Sequence, residues 1–404
     1  NSNILSNTGQ TLYLFGPFEK PTNDFQLYSN VESANLDVAK GYRAASTDNQ
    51  TFMFSGAVTT SALNVPILKV GSGNAKWNLI GNPYTSYIKL ADFLTANIAE
   101  LDTQSVAVYG YDADNANGSV WAIWNLAYSD ANPNTLIAPG QGFFVSSKDG
   151  GSNISFTPSM RALGSSDDFI VGRTSNSVVH SIVQISSGTQ TYGTEFYLTN
   201  NATLGLDLGY DAEHFGGAPS DFAIYSELTE NSQGLDMAIQ SIGFDDIDND
   251  PVIPLGVNVA QGEQITISMV EPISEYSVYL EDALTNTFTL LNTSDYSFTA
   301  DTDLSDTGRF YLRFAQNTLS VIDSDLYNIQ VYSDSNLEQI VVKGQLSEDT
   351  KLTLYDIQGR EILNKALDSN NNVHTINTSQ YTSGIYLVKL SNSLNSMTKK
   401  LIIR

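Results

Sequence analysis

The chain has 404 residues, room for two to four domains at about 100–200 residues each. Its 19 Lys+Arg against 44 Asp+Glu give a formal net charge of −25, which makes nucleic acid and anionic membrane poor partners. The lack of cysteine excludes disulfide scaffolds, thiolate zinc sites, iron–sulfur clusters and cysteine nucleophiles, three histidines leave little for metal or acid–base chemistry, and 41% hydrophobic residues supply packed cores.

Asn1-Ser2-Asn3 carries neither an initiator Met nor a signal peptide, so the chain reads as a mature product or a fragment of something longer. A cysteine-free chain suits passage through an oxidising periplasm. No run of 18 apolar residues predicts a membrane-spanning helix. The dominant hydrophobic period is two, starting with Thr51-Phe52-Met53-Phe54. Trp77 is expected in the core. Only Ile88 to Leu101 has helical spacing, with Leu90, Phe93, Leu94, Ile98 and Leu101 on one face. Asp112-Ala113-Asp114-Asn115-Ala116-Asn117-Gly118 is an acidic turn without a complete calcium-loop pattern. Trp121 and Trp124 fall on opposite faces if extended, so at most one is core and the other is open to stacking on a sugar.

A polar, aperiodic run over 162–168 predicts a first domain boundary. His180 lies in an apolar strand and reads as a satisfied packing residue. His214 sits in Glu213-His214-Phe215-Gly216-Gly217 with no Gly-x-Ser-x-Gly elbow to serve. No Walker loop, dinucleotide fingerprint or His-Glu-x-x-His occurs, and no motif singles out a carboxylate pair, so the chain is expected not to be an enzyme. Asp246, Asp248 and Asp250 alternate, which on an extended backbone turns three carboxylates to one side and makes them the candidate calcium ligands. Pro251 and Val257 stand where an EF-hand needs Gly and Glu; a solvated acidic turn is the simpler reading. No other cofactor is expected. Further strands are read at Gln264–Ser268, Tyr276–Leu280 and Arg309–Phe314, and a second boundary near 316–328.

Residues 1–324 hold 11 basic and 36 acidic side chains; the remaining 80 hold eight of each. That neutral end contains seven strand-like runs, beginning at Ile329, Gln339, Lys351, Glu361, Val373, Gly384 and Lys399, the pattern of a small immunoglobulin-like sandwich. Asp356-Ile357-Gln358-Gly359-Arg360 reads as a hairpin turn. The fold expected is all-β, with tandem antiparallel β-sandwich domains over 1–165 and 166–320 and a seven-stranded immunoglobulin-like domain over 325–404.

Leu354-Tyr355-Asp356-Ile357-Gln358-Gly359-Arg360-Glu361-Ile362, Ser383-Gly384-Ile385-Tyr386-Leu387-Val388-Lys389 and the terminal Lys399-Lys400-Leu401-Ile402-Ile403-Arg404 resemble the type A C-terminal sorting domain of type IX secretion substrates, found in Bacteroidetes. Where that family often opens with Pro-Asn-Pro, this chain has Ser333-Asp334-Ser335-Asn336. Upstream, Trp77–Tyr84 and Ile137–Val145 are similar to a β-rich module that often precedes such domains, and segments from Tyr210 to Phe314 resemble a second one. The resemblance implies export across the outer membrane to the cell surface or medium. It implies a large outer-membrane translocon and a β-barrel shuttle protein as partners, with a sortase-like peptidase removing the tail. It places the signal on Gly359, Arg360, Gly384, Tyr386, Val388, Lys399, Lys400, Leu401, Ile402, Ile403 and Arg404. The expected function is a non-enzymatic stalk or adhesin-type surface protein. The alternative is a carbohydrate-binding module, or the C-terminal part of a surface glycoside hydrolase, with a surface glycan as ligand.

Overall fold

Short alternating runs broken by Gly, Asn and Asp turns cannot propagate helices, and the computed structural model is correspondingly all-β. It describes residues 4–403 except 34, 48–51, 71–72, 113–118, 166–177, 189, 233, 248, 317–328, 335–336, 338, 345, 347–349, 370 and 393–395. Residues 317–328 of the second predicted boundary, 166–168 of the first, and the turn at 113–118 lie outside the described residues. The chain forms two units, Asn1–Ala315 and Gln316–Arg404. Among the described residues, no helix is long and apolar enough to cross a membrane.

In the first unit, residues up to 162 build several small antiparallel sheets. One orders strands Trp77–Gly81, Gly142–Ser146, Val108–Tyr111 and Trp121–Trp124. The expected helix is shorter than its period suggested: Ile88 belongs to strand Tyr87–Lys89, and the helix spans Leu90–Asn97 before tightening to a 3-10 turn at Ile98–Glu100. Its last residue, Asn97, is buried, takes the Ser155 N–H at 2.7 Å and donates to the Ser155 carbonyl at 3.1 Å. The side chain thus completes the edge of strand Ser152–Phe156 as a neighbouring strand would. Among the described residues, two further α-helical turns occur, Leu126–Ala131 and Phe244–Ile247. The first is capped by the Asn125 side chain, which accepts from the Tyr128 N–H at 2.9 Å.

Residues 179–316 form a large sheet running Thr287–Leu290, Tyr276–Asp282, Phe310–Gln316, Val252–Asn258, Ala223–Ser226, Met237–Gly243, Thr191–Thr199, Val179–Ser186, Gln264–Met269 and Tyr296–Thr299. Thr191–Thr199 and Met237–Gly243 pair in parallel. The sheet curls until its ends meet. Tyr296 donates to the buried Asp282 carboxylate at 2.7 Å, Arg309 clamps that carboxylate at 2.8 Å, and the Arg309 guanidinium lies 4.4 Å from the Phe298 ring. Gly256 is required within this curl, because the Tyr225 ring lies 2.2 Å from where its Cβ would stand.

Two hydrophobic clusters fill this unit. The first, around Trp77, Phe93, Tyr109, Phe143 and Phe156, also takes in Tyr197, Ala212 and Ile239 from beyond residue 178. The second lies inside the curled sheet, around Phe196, Ile253, Leu255, Phe310 and Phe314.

The second unit stacks a three-stranded sheet, Gln330–Asp334, Gln339–Lys343 and Val373–Asn377, on a four-stranded one. The latter orders Glu361–Leu367, Thr350–Asp356, Gly384–Ser391 and Ser396–Ile403. Val331, Ile340, Val342 and Ile376 from one sheet meet Leu352, Leu354, Val388 and Leu390 from the other. All seven strands coincide with the runs read in the sequence.

Candidate functional sites

In the second unit, strand Ser396–Ile403 stands at the edge of its sheet and, among the described residues, pairs with Gly384–Ser391 alone. The register sets Gly384 opposite Ile403, Tyr386 opposite Leu401 and Val388 opposite Lys399. Strand alternation divides the signal residues. Tyr386, Val388, Leu401 and Ile403 point into the core, and the Tyr386 hydroxyl donates to the Thr382 carbonyl at 2.8 Å. Ile402, between Leu401 and Ile403, faces outward and is 52% exposed. Its cross-strand partner Ile385 is 41% exposed, and the next outward pair is Leu387 with Lys400. Ile385 and Leu387 therefore join Ile402 in an apolar stripe beside Lys400. Strict alternation from the buried Tyr386 and Val388 is the sequence signal that identifies them.

The turn at 356–360 is self-contained. Asp356 accepts from the N–H groups of Gln358 and Arg360, at 3.0 and 2.9 Å, and from Arg360 Nε at 3.0 Å. These bonds, the Arg360 N–H first, hold the Asp356 carboxyl below the usual carboxylate range. Gly359 has φ +79°, a left-handed backbone that glycine adopts freely. Arg404 lies outside the described residues.

In the first unit, a buried ion cluster joins the two stretches of chain that meet there. Lys76 Nζ contacts Glu213 Oε1 and lies 3.3 Å from Asp102 Oδ1 and 2.9 Å from Ser105 Oγ. Ser105 donates to Glu213 at 2.6 Å, and the Tyr109 hydroxyl donates to the Glu213 carbonyl at 2.9 Å.

Two of the histidines lie in the first unit. His180 bridges Glu195 at 3.0 Å and Glu271 at 3.2 Å and stacks on Tyr197 at 4.5 Å. Burial pulls its pKa down, but hydrogen bonds and charge from Glu195 and Glu271 outweigh that and hold it at about 9. His214 is 5% exposed, and burial pushes its pKa down to about 4. Its Nδ1 lies 3.2 Å from the Tyr192 hydroxyl, and its Nε2 has no partner among the described residues. No carboxylate–imidazole–hydroxyl relay is assembled from these contacts.

His214 lines a cleft of about 720 Å³ together with Trp121, Tyr192, Phe215, Asp221 and Glu263. Trp77 and Trp124 are core, while Trp121 is half-buried and stacks on Phe215 at 3.9 Å.

The three aspartates are arranged otherwise than alternation suggested. Asp246 sits in the helical turn Phe244–Ile247, and Asp250 has a left-handed φ of +54°, so the backbone joining them is not an extended strand. Asp248 lies outside the described residues. Among the described residues, no cluster of three metal-ligating side chains occurs.

Residues 2–314 match the family described as a domain of unknown function, DUF8693, and the chain belongs to that family. Residues 315–404 match the secretion system C-terminal sorting domain, so the chain ends in a type IX secretion sorting signal. That signal directs export across the outer membrane to the cell surface or the extracellular space. No curated protein matches the chain. A solved structure titled "Biofilm associated protein - BSP domain" is similar at 9% identity with a TM-score of 0.18, covering 100% of this chain and 68% of that one.

Proposed function

We propose that this is a non-enzymatic surface or secreted protein of the stalk or adhesin type, addressed by the outward face of its terminal hairpin. The observation that carries this reading is the final strand: an edge with one paired side, presenting Ile402, Ile385 and Leu387 beside Lys400. An edge strand offers unpaired backbone groups for strand addition, and the apolar stripe gives a receptor something to select. Lysines beside it guard the edge against self-pairing and offer charge to an acidic or polar rim. The translocon and the β-barrel shuttle are the proposed readers, and a sortase-like peptidase acts once the tail has crossed.

The test uses a periplasm-directed reporter fused to residues 316–404 in a Bacteroidetes host. Export of the parent fusion and its loss in a variant carrying Ile385→Asn and Ile402→Asn support the reading. Both side chains are about half exposed, so the tail's melting temperature should hold. A parent fusion left in the periplasm would sink the sorting role, and full export of the variant would sink the stripe. Lys399→Glu with Lys400→Glu asks separately whether charge is read. The non-enzymatic part fails if the purified chain turns over a polysaccharide or peptide and a carboxylate or His214 substitution abolishes it.

A further inference from the structure

We propose that the cleft beside Trp121 and His214 binds a neutral oligosaccharide. The inference goes beyond the export reading and does not depend on it. The floor is a fixed aromatic plane. Phe215 packs against the core residue Trp77 at 4.5 Å and against Trp121 at 3.9 Å, with a 21° angle between the Trp121 and Phe215 planes. Trp121, braced on one side by Phe215, is already fixed and loses little freedom when a sugar's C–H face settles against its open part, so stacking costs little order. Trp121 is the half-buried member, and it lines the opening.

The polar lining points to hydroxyl groups. Asp221 and Glu263 stand on the wall with no side-chain partner among the described residues, as does the Gln190 amide. Carboxylates accept two hydroxyl hydrogens from neighbouring positions of a sugar, and an amide both donates and accepts. Lys and Arg are absent from the lining residues, and the chain's net charge is −25, so an anionic ligand finds nothing to neutralise it. His214 supplies a second, independent observation. It is nine-tenths buried on the cleft wall, it is held uncharged, and one ring nitrogen is unpartnered. Its Nε2 is enclosed within that wall, where a polar atom without a partner is unusual, so a ligand hydroxyl meets it only as the wall gives slightly. A cationic ligand would use the two carboxylates and leave the imidazole and the amide idle. The space, about 720 Å³, lies within the usual range of ligand pockets.

The test is isothermal titration of the full 404-residue chain with cellohexaose, xylohexaose, mannohexaose, maltohexaose and chitohexaose, with heparin and spermidine as the charged probes. The expected result is saturable binding of at least one neutral hexaose with Kd below about 1 mM. Glu263→Gln and Asp221→Asn should each weaken it by about tenfold, and Trp121→Ala should abolish it. Because Trp121→Ala removes a packed ring, the two carboxamide variants decide the matter if it fails to fold. Binding of no neutral hexaose, binding of heparin or spermidine alone, or hexaose binding unchanged in both carboxamide variants would each overturn the proposal.

Discussion

Lys76 and Glu213, 137 positions apart, meet as a buried ion pair inside the first unit. The lysine precedes strand Trp77–Gly81, and the glutamate ends the short strand Ala212–Glu213. Their contact fastens the segment that carries His214 and Phe215 onto the aromatic cluster of the earlier residues.

Removing one member of a buried pair strands the other. Lys76→Met is expected to destabilise the first unit by about 3–5 kcal/mol, because the buried Glu213 loses its counter-ion. The double variant with Glu213→Leu should recover most of that. Asp102 remains held by Lys69, whose Nζ lies 3.5 Å away. Denaturant unfolding of both variants checks this, and a single-variant loss below about 1 kcal/mol would contradict the assignment.

The two described histidines of the first unit predict opposite limbs of a pH–stability curve. His214 is uncharged in the folded state down to about pH 4, against an ordinary value of 6.5. Above pH 6.5 it is neutral in both states and contributes nothing. As pH falls from 6.5 to 4 the unfolded chain takes up a proton that the folded chain refuses, and about 3 kcal/mol is lost. His180 has a raised value of about 9. Its contribution, on the order of 2–3 kcal/mol, is complete below pH 6.5 and disappears as pH rises through 9. Thermal melts from about pH 4 to about pH 10 should therefore show His214→Gln flattening the acid limb and His180→Gln the alkaline limb. Parallel curves for variant and parent would refute either assignment.

Deleting residues 396–404 removes the edge strand with the buried Leu401 and Ile403. Each such side chain is worth ~1.5–3 kcal/mol, a large share of what a domain this small can hold. Calorimetry is expected to lose the tail transition and keep that of residues 1–315, and fractionation should find the protein in the periplasm. Normal surface display of the truncated chain would overturn the sorting function.

If Asp246, Asp248 and Asp250 share a calcium ion, chelator should lower the melting temperature. A site filled at about 100 times its dissociation constant stabilises by about 2.7 kcal/mol. A melting temperature unchanged by chelator leaves the acidic turn simply solvated.

Legibility followed the range of the interactions. The seven tail strands were readable because each carries its own alternation, and the turn at Gly359 because its geometry is local. The helix Leu126–Ala131 has six residues, too few to display a period, and only its Asn125 cap marks it. The meeting of Lys76 with Glu213, and the parallel pairing of Thr191–Thr199 with Met237–Gly243, rest on chain-distant contacts that leave no local pattern. Trp121 was legible as one of two alternating rings. That it would be the half-buried one was decided by Phe215, nearly a hundred residues away. Ile402 shows the limit of composition: it is as apolar as its neighbours Leu401 and Ile403, yet the alternation of its strand turns it outward.

All three tryptophans of the chain, at positions 77, 121 and 124, belong to one aromatic cluster of the first unit. Their emission therefore reports on that cluster alone. The tail, which contains tyrosine but no tryptophan, is spectroscopically silent when indole is excited selectively, and the curled sheet around Phe310 is nearly so. A protein whose tail melts before its body would show one transition by indole fluorescence and two by heat capacity. A tryptophan placed at the exposed Ile357 of the tail's turn would give that unit an optical signal of its own.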